Sequence, residues 1–81
     1  MATAVVVSFR LTEIEKVFKK IGIEWPGLKL AGQKLSEKYK VLLCSSQDKE
    51  DKVNFIFSGN HDFIDMMQDF RNKGLKFRAT L

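Results

Sequence analysis

For nucleophilic chemistry this chain of 81 residues offers a single thiol, Cys44, and a single imidazole, His61. A Cys–His pair works only when the two groups come within hydrogen-bond reach. Cys44 falls at the end of one expected strand, and His61 falls beyond the far end of the next. That puts them at opposite edges of a sheet, with Cys44 as a small core residue and His61 on the surface of a first helical turn. One His and one Cys also fall short of a transition-metal ligand set. Asp62, Asp65 and Asp69 recur at i, i+3 and i+7, so a helix would carry them on one side. The expected reading is a solvated face: Asp62 complements the helix N-terminus, and Asp69 pairs with Lys73 one turn on. Ser58-Gly59-Asn60 ahead of that helix could offer backbone N–H groups to an anion, but Asp62 would repel it. These residues predict no catalytic set, no metal site and no cofactor.

The remaining chemistry is charge. The net charge is +4, and it is uneven: residues 1–40 carry eight Lys/Arg against four Asp/Glu, while residues 41–81 carry six of each. A basic excess favours an acidic partner such as nucleic acid. Lys38, Lys40, Lys76 and Arg78 occupy alternate positions of expected strands, which points them to one open sheet face, together with Asn54. From there they could meet phosphates in a salt-dependent way.

The elements that position these groups follow from hydrophobic spacing. Residues 4–9 form a first strand with apolar residues on both faces. Thr12 and Glu15 have capping-box spacing, and Ile14, Val17, Phe18 and Ile21 make a helical stripe that ends at Gly22. Pro26-Gly27 suits a type II turn. Residues 28–37 fit either an extended hairpin or a short helix weakened by Gly32, and the extended reading is preferred. Residues 39–44 read as a strand and residues 45–51 as a solvated hairpin loop. Residues 53–57 form a third strand. Asn60 is an N-cap. Phe63, Ile64, Met67 and Phe70 give a second helical stripe, Gly74 stops it, and a last strand alternates to Leu81.

The expected architecture is therefore a single α+β domain over residues 1–81. Two helices pack on one face of an antiparallel sheet in the ferredoxin-like β-α-β-β-α-β order, with the first and third strands central. A winged arrangement with an extra hairpin at residues 28–37 is the alternative. No apolar run approaches the roughly 20 residues of a membrane helix. A lone cysteine fits a reducing, cytoplasmic setting.

Within this order the third strand reads Lys52-Val53-Asn54-Phe55-Ile56-Phe57, and the Phe55/Phe57 spacing echoes paired base-stacking aromatics. The element order resembles the RNA recognition motif, whose fold would span nearly the whole chain and whose central strands carry stacking aromatics beside a basic residue. The chain departs from that motif in lacking a glycine after Lys52 and an aromatic at the centre of Val5-Val6-Val7-Ser8-Phe9. Turning Phe55 and Phe57 outward would leave Asn54, Ile56 and Ser58 to fill the core, so both rings are expected inside.

Two functions remain. One is a non-enzymatic nucleic-acid-binding or nucleic-acid-associated regulator using Lys38, Lys40, Lys76 and Arg78. The other is a protein-interaction module, a small inhibitor or adaptor, meeting a larger complex through an open sheet face or edge strand. In that case Ile56, Leu42 and Trp25 are contact candidates, the partner has an acidic surface, and a C-terminal edge strand gives a route to a homodimer.

Overall fold

The computed structural model describes residues 4–59 and 61–80. The order is β1 (Ala4–Arg10), α1 (Ile14–Ile21), α2 (Leu28–Tyr39), β2 (Leu43–Lys49), β3 (Lys52–Ser58), α3 (His61–Asn72) and β4 (Arg78–Thr80). This is an α+β arrangement of three helices and a four-stranded, fully antiparallel open sheet in the order β2-β3-β1-β4. The expected N-cap Asn60 and the strand end Leu81 lie outside the described residues.

Period-two alternation decides which face of the sheet is covered. Val5, Val7 and Phe9 on β1 and Val53, Phe55 and Phe57 on β3 are all buried. They pair across the central strands as Val5–Phe57, Val7–Phe55 and Phe9–Val53. Against them pack Ile14, Val17, Phe18 and Ile21 of α1, Ala31 and Leu35 of α2, and Phe63, Met66 and Phe70 of α3. The α1 stripe is the one the sequence predicts. In α3 Met66, not Ile64, is the inward residue, and Ile64 is exposed. Phe63, Met66 and Phe70 follow 3–4 spacing, and i+1 from Phe63 turns Ile64 away from the sheet. Phe70 forms an aromatic hub, edge-on to Phe9 at 5.7 Å, to Tyr39 at 5.5 Å and to Phe77 at 5.5 Å.

All three helices stop in the same way. Ile23 N–H donates to the Phe18 carbonyl, Val41 N–H to Ser36 and Leu75 N–H to Phe70, each six residues closed into one. This is the Schellman arrangement, which needs a left-handed residue just past the helix. Gly22 and Gly74 fill that position at φ 82 and 69, but in α2 it falls to Lys40 at φ 57.

Several expectations are overturned. Residues 28–37 are helical, so there are three helices rather than two and the winged hairpin is absent. Gly32, which argued against a helix, is what lets α2 lie close on the sheet: a Cβ there would sit 2.9 Å from Leu43 Cδ2 and 3.1 Å from Phe55 Cδ1. Gly27 has φ 93 and ψ 160, which is not the type II geometry expected of Pro26-Gly27. Thr12 does not cap α1; Glu13 occupies the N-cap position and makes no side-chain cap hydrogen bond. The stretch expected as a loop, Ser45 to Lys49, is most of β2, and the connection to β3 shrinks to Glu50 and Asp51. The misplacement has a simple cause. β2 is an edge strand whose residues past Leu43 are exposed on both faces, so burial imposes no apolar alternation on it.

Candidate functional site

The uncovered face of the sheet organises its side chains in rows, because residues opposite one another on antiparallel strands point the same way. One row crosses Lys49, Lys52 and Arg10. The next crosses Gln47, Asn54, Ser8 and Arg78, and the third Ser45, Ile56, Val6 and Thr80. The face therefore grades from cationic, through amide and hydroxyl, to a small apolar centre. Within the second row Ser8 Oγ donates to Asn54 Oδ1 at 2.5 Å. That takes one lone pair of the amide oxygen and leaves its second lone pair and the two N–H groups for other partners.

At the cationic end lies a groove of about 610 Å³ lined by Arg10, Lys52, Lys76 and Arg78 together with Asn54, Ser8, Thr80 and Glu13. Neither lysine nor arginine can accept a hydrogen bond, so these four side chains offer only donors. Phe9 and Phe77 also line the groove; Phe9 is buried, and Phe77 is half-buried against the core, tilted on Phe9 and edge-on to Phe70.

The four basic residues expected on one open face separate. Lys76 and Arg78 line the groove, but the last strand, expected from Leu75, begins only at Arg78, so Lys76 lies in the segment ahead of it and not on a strand. Lys38 lies in the last turn of α2, with its Nζ 5.7 Å from the Tyr39 ring centre. Lys40 is the left-handed residue that ends α2. The strand expected at residues 39–44 begins only at Leu43, so Lys38 and Lys40 belong to the helical layer and not to the sheet face. Arg10, Lys49 and Lys52 take their place. The signal for them was present in the alternation of Val6, Ser8 and Arg10 against Val5, Val7 and Phe9. Reading β1 as apolar on both faces concealed it.

The apolar contact candidates also divide. Ile56 is half-buried on the open face beside Val6. Leu42 is exposed just before β2. Trp25 packs edge-on against Phe18, with ring centres 5.1 Å apart, and covers the end of the core. Phe55 and Phe57 point to the helices and are fully buried.

The other chemical candidates dissolve. Cys44 is not a core residue; it is exposed at the irregularity between Leu43 and Ser45, where β2 carries one residue more than β3. The His61 side chain lies outside the described residues. Asp69 is engaged, accepting hydrogen bonds from Tyr39 Oη at 2.6 Å and from Lys73 Nζ. Among the described residues there is no cluster of metal-ligating side chains, and no helix is long and apolar enough to cross a membrane.

No family model, curated protein or solved structure matches this chain. The rows of side chains on the open sheet face therefore have to be interpreted on their own chemistry.

Proposed function

We propose that the protein is a non-enzymatic nucleic-acid-binding module that holds a phosphodiester backbone on the basic end of its open sheet face. The supporting observation is the convergence of Arg10, Lys52, Lys76 and Arg78 on one groove, with Lys49 in register beside Lys52. No ring stands in the three paired rows of that face, so phosphate contacts carry the attraction there. The chain order and the central position of β1 and β3 are compatible with a ferredoxin-like sandwich to which α2 has been added, and we adopt that reading of the fold.

Fluorescence anisotropy with short single- and double-stranded RNA and DNA at about 50 and 200 mM salt tests the proposal. Four neutralised phosphates on a single strand give a log–log salt slope of about −3. The quadruple variant Arg10→Glu/Lys52→Glu/Lys76→Glu/Arg78→Glu loses binding, and Lys38→Glu/Lys40→Glu keeps it. Equal binding by the quadruple variant and the parent overturns the proposal.

A second reading is a protein-interaction module acting through the edge of the sheet. It is favoured by β4, a three-residue edge strand whose outer side pairs with no other described strand. Strand addition there would give a homodimer or capture an extended peptide. Sedimentation that shows a monomer at high concentration, with no retained partner, counts against it.

A further inference from the structure

The groove contains one group that a pure phosphate site would not have. Glu13 lines it alongside the four cations. Its carboxylate is not spent on α1, since it makes no cap hydrogen bond although it sits at the N-cap position. It forms no ion pair within 4.0 Å among the described residues. Of the other polar side chains lining the groove, Arg10, Lys52, Lys76 and Arg78 have no acceptor, and Ser8, Asn54 and Thr80 are uncharged, so Glu13 is the one carboxylate among the lining residues. A donor-rich wall with one free anionic acceptor fits a ligand that is itself anionic and presents N–H donors.

We propose that Glu13 gives the site its base preference, accepting hydrogen bonds from the Watson–Crick edge of a guanine while the basic row holds the flanking phosphates. This inference rests on the nucleic-acid reading above. Guanine presents N1–H and N2–H side by side, two parallel donors that match the two oxygens of a carboxylate. Uracil places its single N3–H between two carbonyl oxygens, which a carboxylate repels. A side-chain acceptor facing base donors discriminates in this way because the wrong base leaves charges opposed. An unpaired base on a single strand can offer this edge, whereas a base-paired one cannot.

The test is an anisotropy titration with a short all-uridine RNA and the same strand carrying one central guanine, with guanosine monophosphate as a competitor. The parent protein binds the guanine strand about fivefold or more tightly. Glu13→Gln reduces that ratio to below about twofold. It binds the all-uridine strand more tightly than the parent, because a negative charge lining the cationic groove is gone. Glu13 is partly exposed, and circular dichroism establishes that the variant is folded. Competition by the free nucleotide at concentrations similar to the oligonucleotide would locate recognition in a mononucleotide rather than a strand and overturn the strand part of the proposal. Salt-dependent binding with equal affinity for both strands overturns the role of Glu13 and leaves the phosphate site standing. Absence of binding by either strand at low salt overturns both.

Discussion

Arg10 stands directly opposite Lys52 on the two central strands, and Lys49 faces Lys52 from the other side. Like charges in direct cross-strand register destabilise a sheet. Three cations in one row across β2, β3 and β1 therefore oppose folding, a cost that the proposed phosphate site would account for.

Reversing the central charge separates the two effects. Lys52→Glu converts both cross-strand pairs to attractive ones. It is expected to stabilise the domain by about 0.2–1 kcal/mol, the range for exposed pairs. It is also expected to weaken oligonucleotide binding and reduce the salt slope by about one or more. Urea melts and anisotropy on the same protein check this. A variant that is both less stable and equally competent in binding contradicts the assignment.

Gly32 sits where α2 approaches the sheet. Alanine there gains roughly 1 kcal/mol of helix propensity, but its Cβ meets Leu43 Cδ2 at 2.9 Å and Phe55 Cδ1 at 3.1 Å. Phe55 is fully buried and cannot yield. Gly32→Ala is expected to cost about 1–3 kcal/mol net. Leu43→Ala, which clears the nearer contact, should relieve part of that cost, and a double-mutant cycle by urea unfolding will show the coupling.

Lys40 adopts φ 57 at the end of α2, the position glycine takes in α1 and α3. Removing the Cβ relieves the left-handed strain, so Lys40→Gly is expected to stabilise the domain by about 1 kcal/mol. Since Lys40 lies in the helical layer, oligonucleotide affinity should not change. Thermal melts and anisotropy test the two halves of this statement independently.

The Tyr39–Asp69–Lys73 cluster links stability to pH at both ends. The hydrogen bonds from Lys73 and Tyr39 hold the Asp69 carboxyl below the usual carboxylate range. A depressed acid contributes stability above its unfolded value of about 3.9, and that contribution fades as pH falls through the folded value. Burial, reinforced by the hydrogen bond to Asp69, pushes the Tyr39 phenol well above its usual range. Its contribution is complete below about pH 10 and fades as the pH rises beyond that. Tyr39→Phe is expected to cost about 1 kcal/mol at neutral pH and to flatten the alkaline limb of a stability–pH curve measured by urea unfolding. A limb of unchanged steepness would separate alkaline sensitivity from Tyr39.

The strongly patterned parts of the chain were legible from residue order. The α1 stripe and the buried Phe55 and Phe57 follow from periodicity of 3.6 or 2, the Gly22 and Gly74 stops from glycine's left-handed freedom, and the central β1 and β3 from the order of the elements. Burial enforces such periodicity wherever an element has one covered face. Strand β2 could not be found this way, because neither of its faces is covered past Leu43. Helix α2 was obscured by Gly32, whose propensity argues against a helix. The reason for that glycine is a close approach to Leu43 and Phe55, residues 11 and 23 positions further along the chain.

The candidate site divides along the same line. By itself the sequence determined the class of the fold, the single thiol and imidazole, the basic balance and the place of Arg78 in a last strand. Only the tertiary structure decided that Lys38 and Lys40 belong to α2 and its end, that Lys76 lies ahead of β4, and that Arg10, Lys52 and Glu13 join Lys76 and Arg78 around one groove. Arg10 and Lys52 are 42 positions apart in the chain, and only antiparallel registry of β1 with β3 makes them neighbours. Local spacing determines which way a side chain points from its own strand, whereas strand order and register determine what stands beside it.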